Sequence, residues 1–156
     1  MNMQISGPVI TDADIQAFEA KYRLSLPRDY QSFLKDSNGG YPVDEWSFGF
    51  YERAFNAYTG SLIQEFCTLY PEDNPEYNNL GQRYAEFVES GQVPPSLIPI
   101  AFDPGGNFIM LCVSDKDYGK VCFANHELED TETRYMVMSP IADSFTEFIN
   151  KLYIEE

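Results

Sequence analysis

The chain has 156 residues, of which 44% are hydrophobic and 15% aromatic, so it has the size and the apolar content of one folded domain. Its 25 acidic side chains against 10 basic ones give a formal net charge of −15. This charge repels phosphate groups, which argues against nucleic acid or an anionic membrane as a partner and favours a basic protein. Acidity also increases solubility, so the charge alone does not decide between a basic protein partner and a simple contribution to solubility.

The sequence lacks the features of export and of disulfide bonding. Its N-terminus has no basic cluster followed by an apolar stretch, and no apolar run approaches the roughly 20 residues of a membrane span. We therefore expect a cytoplasmic location. Cys67, Cys112 and Cys122 have no Cys-x-x-Cys spacing, and a reducing compartment favours buried thiols over disulfides.

Two helices are predicted near the N-terminus. Thr11 and Asp14 have the spacing of a capping box that opens the first helix. Its apolar face carries Ile15, Phe18 and Tyr22. Pro27 suits the first turn of the second helix, and the run 38–40, Asn-Gly-Gly, ends it. The apolar stripe of this second helix is formed by Tyr30, Phe33 and Leu34.

The middle of the chain is less regular. Between Trp46 and Tyr70, aromatic residues alternate with turn residues, and both strand and short helix fit this pattern. Residues 71–76 are predicted to form an exposed acidic loop because two prolines and four polar residues neither extend a sheet nor fill a core. A third helix is predicted over 80–90, stopped by Gly91, with its inward positions at Tyr84, Phe87 and Val88.

The C-terminal half predicts an antiparallel meander followed by a helix. Apolar runs at 97–102, 108–113, 121–124 and 134–138 read as strands, separated by turns that include 103–107 and 115–120. The run 108–113 is continuously apolar, which indicates a central strand covered on both faces. Pro140 is expected to start the last helix, whose apolar positions are Phe145, Phe148, Ile149 and Leu152. The predicted fold is a single α+β domain over 1–156, with a mainly antiparallel sheet flanked by helices.

The residues that common catalytic and metal sites require do not occur in recognisable patterns. His126 is the only histidine, and no Gly-x-Ser-x-Gly motif is present. The turn at 103–107 lacks the acidic positions of a calcium loop, and the glycines within it lack the spacing of a phosphate-binding loop. We therefore predict neither enzymatic activity nor a cofactor.

Several segments together resemble the SUKH superfamily in its Smi/Knr-like branch. The resemblance rests on their order as much as on their content, and it extends over residues 11–153. The segments are Leu26 to Leu34 (LPRDYQSFL), Asn38 to Gly40, Ile98 to Ala101 (IPIA), Gly105 to Asn107, Gly119 to Val121 and Ile141 to Ile149.

The resemblance implies a helix-flanked antiparallel sheet and, in bacteria, an immunity protein that neutralises a cognate polymorphic or contact-dependent toxin. It implies no enzymatic activity. The acidity of this chain suits a basic nuclease toxin. Acidic turns with an aromatic side chain are plausible contacts, and the candidate partner-binding residues are Asp44, Glu45, Trp46, Glu72, Asp73, Glu76 and Tyr77.

Three alternatives remain open from the sequence. Trp46 could belong to the core, with the acidic residues as ordinary solvated charges. The protein could be a regulatory scaffold like the fungal cell-wall regulator of the same superfamily, although the long disordered flanks of such proteins are missing. A small hydrolase using His126 or a carboxylate pair is a third reading, which the missing motifs disfavour.

Overall fold

A computed structural model describes residues 1–70 and 78–156, so the predicted acidic loop at 71–76 lies outside the described residues. The helices are α1 (Asp12–Tyr22), α2 (Arg28–Asp36), α3 (Leu80–Ser90) and α4 (Phe145–Lys151). The strands are β1 (Met3–Gln4), β2 (Tyr41–Pro42), β3 (Trp46–Glu52), β4 (Ala57–Leu62), β5 (Glu65–Phe66), β6 (Leu97–Phe102), β7 (Phe108–Cys112), β8 (Val121–Glu129), β9 (Met136–Ala142) and β10 (Tyr153–Ile154). This α+β architecture confirms the predicted fold class.

The centre of the fold is an antiparallel five-stranded sheet in the order β5-β6-β7-β8-β9. Side chains alternate between its faces, so Ile109 and Leu111 join the main core while Met110 and Cys112 join a second core. The second core also contains Phe87 of α3. Both faces of β7 are thus buried, which confirms the central strand that its continuous apolar run predicted.

The predicted starts of the two N-terminal helices are confirmed, whereas α2 ends at Asp36 with Ser37 as its extended C-cap, before the Asn-Gly-Gly run that was expected to end it. The Thr11 hydroxyl accepts from the Asp14 amide, and the Asp14 carboxylate accepts from the Thr11 amide at 2.8 Å. Pro27 directly precedes α2, and Gly39 and Gly40, after this helix, have positive φ angles of 70° and 107°.

Two of the three residues predicted to face inward from α3 are buried in the structure. Asn79 caps the helix through the Gln82 amide, and Gly91 ends it in the left-handed conformation. Tyr84 and Phe87 are buried, but the inward prediction for Val88 is wrong because its side chain is 39% exposed.

The end of the meander differs most from the prediction. The last strand of the meander, β9, runs through Pro140 to Ala142, and α4 begins only at Phe145 with Ser144 as its N-cap. The expectation that Pro140 starts the helix was therefore wrong. Because β9 is an edge strand of the sheet, a residue without an N–H group is tolerated there.

The ambiguous segment after Trp46 forms a β-hairpin. Its strands β3 and β4 join β10 in a three-stranded sheet ordered β10-β3-β4. The inner face of β3 packs on the large sheet, with the rings of Phe50 and Phe123 4.4 Å apart.

In the described ranges, no helix is long and apolar enough to cross a membrane.

Candidate partner-binding surface

The structure places three of the seven sequence-predicted contact residues at the start of β3. Asp44 and Glu45 are exposed in the turn that precedes this strand, and Trp46 is its first residue. The other four, Glu72, Asp73, Glu76 and Tyr77, lie outside the described residues. Their role as contacts stays a prediction.

Trp46 is half-buried and packs against the main core. Its indole Nε1 is buried and has no hydrogen-bond partner among the described residues. The ring therefore contributes to packing in the isolated protein. Trp46 is thus less exposed than the sequence-based interpretation of a partner contact assumed.

The outward face of the three-stranded sheet carries tyrosines that the sequence analysis did not select. Tyr51 of β3 pairs with Tyr58 of β4. Gly49 lies two residues before Tyr51 in β3, and Ser47, two residues before Gly49, pairs with Tyr153 of β10. Directly paired and alternate residues share one face. Tyr51, Tyr58 and Tyr153 together form what we call the tyrosine face.

The tyrosine face is accessible and continues into the hairpin tip. Tyr58 is 75% exposed, Tyr51 46% and Tyr153 45%, and Phe55 in the tip is 67% exposed. The Tyr51 hydroxyl is hydrogen-bonded to the Asn56 side chain. Exposed tyrosines with few rotatable bonds offer contact area at low entropic cost, which makes them frequent energetic centres of protein interfaces.

One end of the tyrosine face is acidic. Because Ile154 pairs with Trp46, the exposed Glu155 and Glu156 that follow β10 lie beside the end of the sheet where Asp44 and Glu45 precede β3. We call these four residues the acidic end. None of them is in an ion pair with the described part of the chain. Their field is therefore available to a basic partner.

Three other acidic residues are buried and unavailable to a partner. Glu52 accepts from Ser139 at 2.7 Å, Glu65 accepts from Asn78 at 2.6 Å, and Asp103 accepts from Ser61 at 2.8 Å. These bonds join elements far apart in sequence. The charge pattern gave no signal that distinguished these structural carboxylates from exposed ones.

A second concave region lies on the other side of the large sheet. This groove of about 650 Å³ has an apolar floor that includes Cys122, Met138 and Pro140. Its rim carries Asp115, Asp117, Asp143 and Glu147 together with Lys120 and Lys151. Both lysines form ion pairs, at 3.2 Å with Asp117 and Glu147 respectively, so the rim is also acidic on balance.

The histidine considered above for a hydrolase and two of the cysteines have structural surroundings. His126 Nδ1 lies 2.7 Å from the side-chain oxygen of Asn107. Burial raises the pKa of the Cys67 and Cys122 thiols to about 12, so neither is a thiolate near neutral pH. No cluster that could hold a metal ion occurs among the described residues.

Comparison with known families identifies the chain. The family model of the SMI1 / KNR4 family (SUKH-1) matches residues 9–151. The chain belongs to this family. The matched residues of this SUKH-1 protein include all of the helices described above and all of the described strands except the two terminal ones, β1 and β10.

The chain is also similar to a curated bacterial protein. The SPbeta prophage-derived uncharacterized protein YokK of Bacillus subtilis (strain 168) is 29% identical over 157 residues, covering 93% of this chain and 76% of the relative. No solved structure matches this SUKH-1 protein. The resemblance inferred from the sequence is confirmed, and proteins of this family are generally immunity or regulatory proteins rather than enzymes.

Proposed function

We propose that this SUKH-1 protein is an immunity protein that binds a cognate bacterial toxin and blocks its activity. The observation that carries the proposal is the family assignment over residues 9–151. Family membership is consistent with a toxin-immunity role. In this proposal the protein acts by binding alone.

The surface properties favour a basic toxin. The net charge of −15 attracts a positively charged protein over a distance of about 10 Å at 0.1 M salt. A nuclease fits this description because its substrate is a polyanion, which a basic surface binds. The tyrosine face supplies close contacts, while Asp44 and Glu45 of the acidic end accelerate the encounter.

The test uses the product of the gene that neighbours the gene of this protein, because an immunity protein is expected beside its toxin. That product is expressed in bacterial cells with and without the SUKH-1 protein, and growth is measured. We expect arrest without the SUKH-1 protein, rescue with it, and a complex of the two purified proteins. Failure to rescue a toxic neighbour, or absence of a complex, would contradict the proposal.

The same experiment separates immunity from the regulatory scaffold. A scaffold would bind a neighbouring or signalling protein without any effect of that protein on growth. A catalytic antidote would leave the toxin chemically altered after removal of the SUKH-1 protein. Mass spectrometry of toxin recovered from the complex should show an unchanged mass, because the proposed protection needs continued binding.

A further inference from the structure

Strand β4 forms an edge of the three-stranded sheet, and in the part of the chain that the structure describes no strand pairs with its other side. Residues 57–60 of this strand are exposed. An edge strand presents unpaired N–H and C=O groups that can pair with another strand. Natural proteins usually protect such edges.

The other edges of the two larger sheets carry such protection. In the five-stranded sheet, β9 contains Pro140 and β5 is two residues long. In the small sheet, β10 is also two residues long and is followed by Glu155 and Glu156. Proline, shortness and charge are each known to discourage strand pairing.

Strand β4 has none of these devices. The segment 54–64 contains neither a charged residue nor a proline, and β4 itself is six residues long. Its position is fixed by the Ser61 hydroxyl, which donates to the Asp103 carboxylate at 2.8 Å. The edge is therefore long, uncharged and held in place, which are the features that favour pairing with an incoming strand.

The hydrogen-bond pattern shows which groups of β4 face away from β3. The Ile63 amide donates to the Trp46 carbonyl at 2.9 Å. In an antiparallel pair, backbone groups of alternate residues point to the same side. The amides of Ala57, Thr59 and Ser61 thus point toward β3, whereas those of Tyr58, Gly60 and Leu62 point to the open edge.

We propose that the open edge of β4 binds an extended, basic segment of the protein partner as an added strand. The inference rests on the proposed function for the identity of that partner. Charge favours this occupant over a second copy, because two copies would each carry −15. Leu62 lines the same shallow depression as Asp44 and Glu45, so a basic side chain at that end of the added strand meets these carboxylates.

The first test uses a probe that does not depend on the toxin. A six-residue peptide alternating lysine and valine is added to the ¹⁵N-labelled protein, and amide hydrogen exchange is followed by NMR. We expect slower exchange at Tyr58, Gly60 and Leu62. A peptide alternating glutamate and valine is the matched control, and it should leave these three amides unchanged.

Absence of protection at these three amides with the lysine peptide would overturn the proposal. Protection in the concentrated protein without peptide, together with a dimer in analytical ultracentrifugation, would assign the edge to a second copy and would also overturn it. Because neither readout uses the toxin, both results stand whether or not the immunity function is confirmed.

The second test uses the toxin complex and a matched pair of variants. Gly60→Pro removes the outward N–H, and Gly60→Ala keeps it while adding the same Cβ, which lies 3.1 Å from the Phe48 carbonyl oxygen. We expect Gly60→Pro to bind at least roughly tenfold more weakly than Gly60→Ala, since one interfacial acceptor loses its donor. Equal affinities in a complex that still forms would refute strand addition while leaving the immunity function intact.

If Gly60→Pro does not fold, amide hydrogen exchange of the wild-type complex replaces the comparison of the two variants. Tyr58, Gly60 and Leu62 should then be protected in the complex and exchange rapidly in the free protein. Rapid exchange of all three in the complex would contradict the proposal.

Discussion

The ring of Tyr58 lies over Gly49 of the paired strand, so closely that a Cβ at position 49 would stand 2.5 Å from the Tyr58 hydroxyl oxygen. Glycine lets the ring come this close to the strand, an arrangement that any other residue at position 49 would disturb. The orientation of the most exposed tyrosine of the tyrosine face therefore depends on a residue with no side chain.

Gly49→Ala should displace the Tyr58 ring and weaken binding of the toxin by roughly tenfold, because loss of one energetically important interface contact costs more than about 1 kcal/mol. The free energy of unfolding should change by less than about 1 kcal/mol, because alanine is less costly than glycine in a strand while the ring contact is lost. Surface plasmon resonance and urea unfolding measure the two quantities. Tyr58→Phe keeps the ring and should bind like wild type. If Gly49→Ala also binds like wild type, Tyr58 is not a contact.

Charge reversal at the acidic end should slow association. Glu45→Lys is expected to lower the association rate roughly two- to tenfold at low salt and less at high salt, because the effect is long-range and screened. Stopped-flow kinetics at two salt concentrations measure it. Glu89→Lys, at another exposed position in α3, is the matched control. A larger effect of Asp143→Lys on the groove rim would move the binding site to that groove.

The buried pair Glu52 and Ser139 should be coupled energetically. Their side chains are 2% and 0% exposed, and Glu52 also accepts from Asn125 at 3.1 Å. Glu52→Ala leaves the buried Ser139 hydroxyl and the half-buried Asn125 amide without this acceptor and should cost about 2 to 3 kcal/mol, whereas Glu52→Gln keeps one acceptor and should cost less. Urea unfolding of Glu52→Ala, of Ser139→Ala and of the double alanine variant gives the coupling free energy. Additive losses from Glu52→Ala and Ser139→Ala would show that the hydrogen bond contributes nothing.

Stability should decline at alkaline pH because of the buried thiols. Burial raises the pKa of Cys67 from about 9 to about 12, so between these values the unfolded chain releases a proton that the folded protein keeps. The contribution of this thiol to the free energy of unfolding is then constant below pH 9 and falls above it, by up to about 1.4 kcal/mol per pH unit for each such group. Cys122 has the same shift and the same sign.

The measurement is the urea midpoint from pH 7 to 10.5 for the wild type and for Cys67→Ala. The variant is less stable at pH 7 because it leaves a cavity in the core, but its midpoint should fall less steeply above pH 9. Identical slopes would show that Cys67 does not contribute to the alkaline loss.

The elements with strong local signals were predicted well from sequence. The capping box at Thr11 and the stop at Gly91 are determined within a few residues of chain, because capping is a local hydrogen-bond requirement. The predicted helix start at Pro140 was wrong because proline is tolerated both in the first turn of a helix and in an edge strand. Only the order of strands in the sheet shows that β9 is an edge strand.

The candidate surface shows the same division between local and distant information. Sequence by itself determined the fold class, the strong negative charge and the exposed turn at Asp44 and Glu45, since composition and turn chemistry act locally. Only the tertiary structure decided that Tyr51, Tyr58 and Tyr153 share one face, that Glu52 is buried, and that β4 has an open edge. These properties arise from strand pairing between segments up to about a hundred residues apart, and a local pattern carries no record of which strands will meet.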